Sequence, residues 1–193
     1  KIAKCFARMT TDENQAVENS VADEEFAAAY ERTWRRVANA ILVWNEFIVI
    51  YGCKDNLQLV NATAPTFFRI VEDALWQEVN LEISRLTDRL KIAGDYTDSL
   101  RYLVHLIRLK GMKSEADILD KELDNTISHC RPIRDRRNQF LAHSDLNPEN
   151  APFIPLSEKD NTDNALSEIV KFMDSLTDRL GLNRILYDQI GIS

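Results

Sequence analysis

From Phe26 to Tyr51 the apolar side chains Phe26, Tyr30, Trp34, Val37, Ile41, Trp44, Ile48 and Tyr51 recur at steps of three and four. Residues at that spacing share one face of an α-helix, so the stretch reads as about eight turns of helix with a single side to bury. A strand would scatter the same residues over both of its faces. A long helix with one apolar stripe needs other helices to cover it, and the rest of the chain supplies them.

End signals divide the chain into further helices. Ser20 with Asp23 has the form of a capping box and predicts the start of the first helix, which ends near Gly52. The stretch KDNLQLVNATAP that follows reads as a loop or a short helix. Pro65 suits the first turn of a second long helix, expected to run to about Lys91 and to bury Phe68, Val71, Leu75, Val79, Ile83, Leu86 and Leu90 before AGDYTD breaks it. A shorter helix is expected over Asp98 to Lys110, stopped by Gly111. Ser114 with Asp117 forms a second capping box, opening a fourth helix to about Ala142, with Pro132 inside to kink or divide it.

Residues 146–162 hold Pro148, Pro152 and Pro155 and read as an irregular flap rather than a linker. A last helix spans Asp163 to Leu180, with Leu166, Ile169, Met173, Leu176 and Leu180 on one face and Gly181 as its stop. The pentapeptide LTDRL occurs at Leu86–Leu90 and at Leu176–Leu180, but its flanks differ and it marks no repeat. The fold class expected is all-α, an up-down bundle of four to five long helices. Residues 1–20 are expected as an N-terminal arm or short helix, 21–182 as the bundle and 183–193 as a tail.

With 193 residues, 45% of them hydrophobic, the chain can bury one proper core. Cys5, Cys53 and Cys130 are odd in number and widely spaced, which points to a reducing compartment and neither a disulfide framework nor a zinc knuckle. No signal peptide is recognised, and the most apolar stretch, Ala38 to Tyr51, is too short to span a bilayer, so a cytoplasmic protein without a membrane partner is expected. The net charge of −7 repels phosphates on average, so any contact with nucleic acid has to come from a local cationic cluster. Residues 131–137, RPIRDRR, are such a cluster.

The stripe of the fourth helix reads Leu119, Leu123, Ile127, Cys130, Ile133, Arg137 and Leu141. Arg137 therefore falls where an apolar core residue belongs, whereas Arg131, Arg134 and Arg136 read as ordinary cations. A guanidinium directed inward is costly unless it has a fixed partner or lines a wet cleft. The partner could be an acid such as Glu78, Glu82 or Asp88. His143 lies six residues on, about 120° around an unbroken helix. The two meet only if the helix unwinds at Ala142 or a second copy brings its own pair close. His105, in LVHLIRL, reads as a half-buried core residue, and His129 has no further ligand at metal spacing. Trp34, Trp44 and Trp76 fit the helical stripes as core. No Walker loop, G-x-G-x-x-G or nucleophile elbow is present.

Arg137-Asn138-Gln139-Phe140-Leu141-Ala142-His143 resembles the marker of the HEPN superfamily, all-helical domains with an arginine and a histidine separated by four to six residues. The bare spacing is weak, since Arg136 to His143 fits it too. Its setting strengthens it: Asn138 is polar, Ala142 is small, and the motif ends a late, long helix. LEISRLTDR, residues 81–89, is similar to the AbiU-type, abortive-infection branch, and the resemblance covers about residues 20–180.

What the resemblance implies is a metal-independent endoribonuclease acting as a homodimer, with two such motifs facing each other near the two-fold axis, in phage defence or a toxin system. It implies RNA as partner, no metal and no cofactor, with an antitoxin or a neighbouring nucleotidyltransferase as further partners. In that scheme His143 moves the proton of an attacking 2′-OH, Arg137 forks the phosphate, and Asn138 fixes the phosphate or the imidazole. Arg134, Arg136 and Asp145 would assist substrate binding, with Asp145 either orienting the ring or beginning a turn. The alternative is a non-catalytic RNA-binding or dimerisation module on the same fold.

Overall fold

The computed structural model describes the backbone of residues 2–143 and 156–182, and the side chains of residues 23–137 and 159–182. Helix α1 spans Ile2–Tyr51, α2 Lys54–Thr63, α3 Pro65–Leu86, α4 Leu100–Leu109, α5 Lys113–His143 and α6 Leu156–Arg179. Two short strands, β1 (Lys91–Ile92) and β2 (Asp95–Tyr96), lie between α3 and α4. The fold is an all-α bundle. Helix α1 packs on α3, α4 and α6, and α5 packs on α6, α4 and α3.

The shared interior holds Phe47, Ile83, Leu103, Leu119, Ile169 and Met173, each essentially without solvent contact. Most of the expected stripes face it. One shift occurs near the end of α1, where Phe47 is fully buried and Ile48 is 37% exposed. The cause is a cluster of rings. Phe47 lies 5.1 Å from Trp44 and 5.6 Å from Trp76, and Trp44 lies 5.9 Å from Trp76. Rings at such separations gain more than their buried area alone, so they set the rotation of the helix locally. Trp44 Nε1 donates to Asp163 at 2.5 Å and Lys159 Nζ donates to the Tyr51 carbonyl at 3.1 Å, which docks the start of α6 on this cluster.

Several expected boundaries move. The backbone is helical from Ile2, so Ser20 lies inside α1 and does not open it. The stretch after Gly52 is helix α2, capped by Cys53, whose Sγ accepts from Asn56 N at 3.5 Å. Helix α3 stops at Leu86 rather than near Lys91. Its C-cap, Thr87, is buried and donates through Oγ1 to the Ile83 carbonyl at 2.8 Å. The residues beyond form a hairpin in the register Lys91↔Tyr96 and Ile92↔Asp95, turning at Ala93 (φ 52) and Gly94 (φ 98). Two consecutive positive φ angles are what a tight two-residue hairpin loop of the mirror-image type requires. Alanine in the first of them hides the signal from sequence.

Ser114 is likewise inside α5, with its hydroxyl on Glu115 at 2.7 Å, so the second capping box does not form. Pro132 sits within α5 without dividing it. Helix α6 starts at Leu156, so residues 156–162 of the expected flap are helical and Thr162 is buried. The rest of that segment, and the tail beyond residue 182, lie outside the described residues. The end of α6 is as expected. Gly181 (φ 62) donates to the Asp178 carbonyl and Leu182 N to the Thr177 carbonyl, the paired bonds of a Schellman cap. Among the described residues no single helix is long and apolar enough to cross a membrane.

At the α1–α2 corner, where the axes turn by 81°, Gly52 N donates to the Ile48 carbonyl at 2.7 Å. A Cβ on residue 52 would stand 2.3 Å from that oxygen. Gly52→Ala is expected to lower stability by about 1–3 kcal/mol in urea unfolding. An unchanged midpoint would show that the corner relaxes freely.

Candidate functional site

The residues singled out in the sequence lie on the last third of α5. Cys130, Ile133, Arg134 and Arg137 are spaced to share one face, and Cys130 and Ile133 on it are buried. Burial pushes the Cys130 thiol up to about 12. A thiol at that value is protonated and inert at neutral pH, so Cys130 is a small apolar filler here.

Each arginine of the cluster has its own setting. Arg134 is a clamp on α3. Its Nη1 donates to the Thr87 carbonyl and, at 3.1 Å, to Thr87 Oγ1, while Nη2 reaches Asp88 Oδ1 at 3.3 Å. A cation at the carboxyl end of a helix meets both the unbonded carbonyls and the negative end of the dipole. Arg136 stands over Trp76, 6.0 Å from the ring centroid, and burial lowers its pKa below the usual arginine value. Both side chains are partly buried and engaged by α3, so neither is the freely exposed cation that composition suggests.

Arg137 is different. It is partly buried, and its Nε has no hydrogen-bond partner among the described residues. None of the acids considered for it makes an ion pair with it there. Glu82 accepts from Arg85 Nη1 at 2.7 Å and lies 3.9 Å from Arg36 Nε, and Asp88 is taken by Arg134. A buried donor left unpaired costs roughly 1–3 kcal/mol, and groups of this kind concentrate at functional sites.

The backbone of α5 is helical through Ala142 to His143, so unwinding at Ala142, one of the two ways in which the pair could meet, is not found. Along a continuous helix, six residues separate Arg137 from His143 by about 9 Å and about 120°. Asn138 and His143 belong to α5 by backbone; their side chains, and Asp145 altogether, lie outside what is described. Sequence reasoning missed Asn80 and Ser84, buried polar residues of α3 whose Oδ1 and Oγ are also unpartnered among the described residues. Their signal was faint. Each directly follows an apolar position of α3, Val79 or Ile83, where a polar residue is less anomalous than Arg137 is on α5.

The other histidines lie elsewhere. His129 is exposed, and His105 is half-buried, stacked on Tyr96 at 5.1 Å and on Tyr102 at 6.4 Å. Among the described residues no three His, Cys, Asp or Glu side chains come together as metal ligands.

A family model described as AbiU2, of HEPN type, matches residues 23–183. No curated protein and no solved structure matches the chain.

Two measurements check this account. Arg134→Ala removes a charged clamp from the end of α3 and is expected to cost about 1.5–3 kcal/mol in urea unfolding, somewhat less for its partial exposure. A loss below about 0.5 kcal/mol would mean that the clamp is ornamental. Burial first, then Lys91 and Arg108, lower the pKa of His105 below 6.5. Between that lowered value and 6.5 the unfolded chain binds the extra proton, so stability rises with pH across this window. Acidification below about pH 6.5 should therefore destabilise the protein, and His105→Phe should lack that part of the decline. Parallel declines in both proteins would exclude His105 as its source.

Proposed function

The chain belongs to the AbiU2 family of HEPN-type domains, and from that premise we propose that it is a metal-independent endoribonuclease whose site is completed by a second copy of the chain. The observation that carries this reading is Arg137. It occupies a core position on α5, its Nε is unpaired, and Glu82 and Asp88 are engaged by other arginines. An arginine held half-buried with bonding capacity to spare suits an anion that arrives from outside, and the planar fork of a guanidinium fits two phosphate oxygens.

The helical course of α5 supports the dimeric form. A histidine about 120° around from Arg137 does not converge with it on one phosphate by the shortest route, whereas two antiparallel copies can pair one chain's arginine with the other's histidine.

In this reading His143 takes the proton of the 2′-OH as that oxygen attacks the adjacent phosphorus. The bond from phosphorus to the 5′-oxygen breaks, and a proton returns to that leaving oxygen, a step this reading assigns to the partner copy's histidine. Arg137 stabilises the charge that builds on the equatorial oxygens, and Asn138 fixes the phosphate or the imidazole. Arg134 and Arg136 are tied to α3 and serve by holding Arg137 in register. An antitoxin or a neighbouring nucleotidyltransferase remains part of the proposal as a partner class.

His143→Ala and Arg137→Ala are each expected to abolish cleavage of RNA while leaving the helical circular-dichroism signal intact. Chelator should have no effect. Products should carry 2′,3′-cyclic phosphate and 5′-hydroxyl ends, and a substrate with hydrogen in place of the 2′-OH should resist. Cleavage that survives loss of His143, or that needs a metal ion, would overturn the mechanism. Purified wild-type protein that binds RNA without cutting it would leave the non-catalytic module.

A further inference from the structure

Trp76, Asn80, Ser84 and Thr87 follow one another along α3 at steps of four, four and three, which places them on one face. The arginines of α5 engage both ends of that face, Arg134 at Thr87 and Arg136 at Trp76. Numbers rise along α5 as they fall along α3, so the two helices run antiparallel here. On that course the turn of α5 from Arg134 to Arg137 is expected to run past the turn of α3 from Thr87 back to Ser84, with Asn80 the next polar residue of the face.

Four buried polar atoms fall in this stretch without a hydrogen bond among the described residues: Asn80 Oδ1, Glu82 Oε2, Ser84 Oγ and Arg137 Nε, of which Glu82 Oε2 lies 3.9 Å from Arg36 Nε. Asn80 is only 9% exposed and Ser84 is fully buried. Their chemistry is complementary. Arginine Nε can only donate and an amide oxygen can only accept, whereas a helical serine can satisfy itself by turning its hydroxyl to the carbonyl four residues back. The acceptor that needs an outside donor is Asn80.

We propose that Asn80 is the positioning residue of Arg137, accepting its Nε–H when the two terminal nitrogens close on a phosphate. This rests on the reading of Arg137 as the phosphate-holding group and adds a direction to it. With Nε committed to Asn80, the fork meets the phosphate end-on through both terminal nitrogens, and the phosphate has one orientation relative to α5. A second polar residue in the core of α3 thereby acquires a purpose that packing does not give it.

The experiment follows the Arg137 Nε–H resonance in the full-length protein, assigned by its disappearance in Arg137→Lys. The ligand is a short 2′-O-methylated single-stranded oligonucleotide, which presents phosphates and cannot be cut. In the wild type, adding it is expected to slow exchange of the Nε–H about tenfold. Asn80→Leu should abolish that slowing and weaken binding about tenfold, with no further loss when combined with Arg137→Ala. Asn80→Asp should slow exchange even without ligand, because a carboxylate grips the Nε–H more strongly, yet weaken binding by adding negative charge.

A purely structural asparagine would not make Nε–H exchange slow in Asn80→Asp and unprotected in Asn80→Leu. Equal slowing by the oligonucleotide in wild type and Asn80→Leu, or losses that multiply between Asn80→Leu and Arg137→Ala, would overturn the proposal. If the wild type ignores the oligonucleotide, the phosphate reading fails by itself. The contact is then decided by the ligand-free comparison of Asn80→Asp with Asn80→Leu, where equal exchange rates overturn it.

Discussion

The clasp between Arg134 and the end of α3 is the interaction on which the geometry of the site depends. By taking the Thr87 carbonyl, the Thr87 hydroxyl and the Asp88 carboxylate together, one guanidinium ends α3 and fixes its register against α5. Everything further along α5 inherits that register. Arg136 comes to lie on Trp76, and through Trp76 on the ring cluster that also receives the start of α6. A slip of one residue would turn Arg137, one turn beyond Arg134, by about 100° around the helix.

The fold was legible wherever periodicity and glycine agree. The face of α1 from Phe26 to Trp44, Pro65 at the head of α3, and the stops at Gly111 and Gly181 need only local rules. The misses arose where tertiary contacts replace local signals. Thr87 ends α3 because an arginine 47 residues away completes its cap, and nothing in the neighbouring sequence announces that. The hairpin turn carries alanine where asparagine or glycine would have advertised it. Ser20 and Ser114 have capping partners at the right spacing, yet the helices begin upstream of both, since a capping pattern marks only a permitted start. Arg137 was readable as an anomaly from its place in an apolar stripe. Which acids were already committed to other arginines was not, because that depends on how α1, α3 and α5 converge around Glu82 and Asp88.

The same convergence explains how an acidic chain can present a cationic site. The net charge is −7, and many basic side chains are spent inside ion pairs, among them Arg32 with Glu25, Arg101 with Asp124 and Arg108 with Asp117 and Asp120. Pairs this exposed add little stability. Their effect is to neutralise positive charge over the rest of the surface, so in the proposed reading attraction for an anion would be concentrated where a guanidinium retains unused donors. Selectivity then comes from position rather than from overall charge.

Pro132 gives this arrangement a further property. A helix propagates order through its ladder of backbone bonds, and proline lacks the N–H that would answer the carbonyl four residues back, here that of Ser128. The ladder is therefore thinned between the half of α5 buried against α4 and α6 and the turns that carry Arg137 and His143. Beyond the proline, Ile133 in the core and the anchors of Arg134 and Arg136 on α3 add lateral contacts where the ladder is thinned. Releasing the two arginines would loosen the site while leaving the bundle standing.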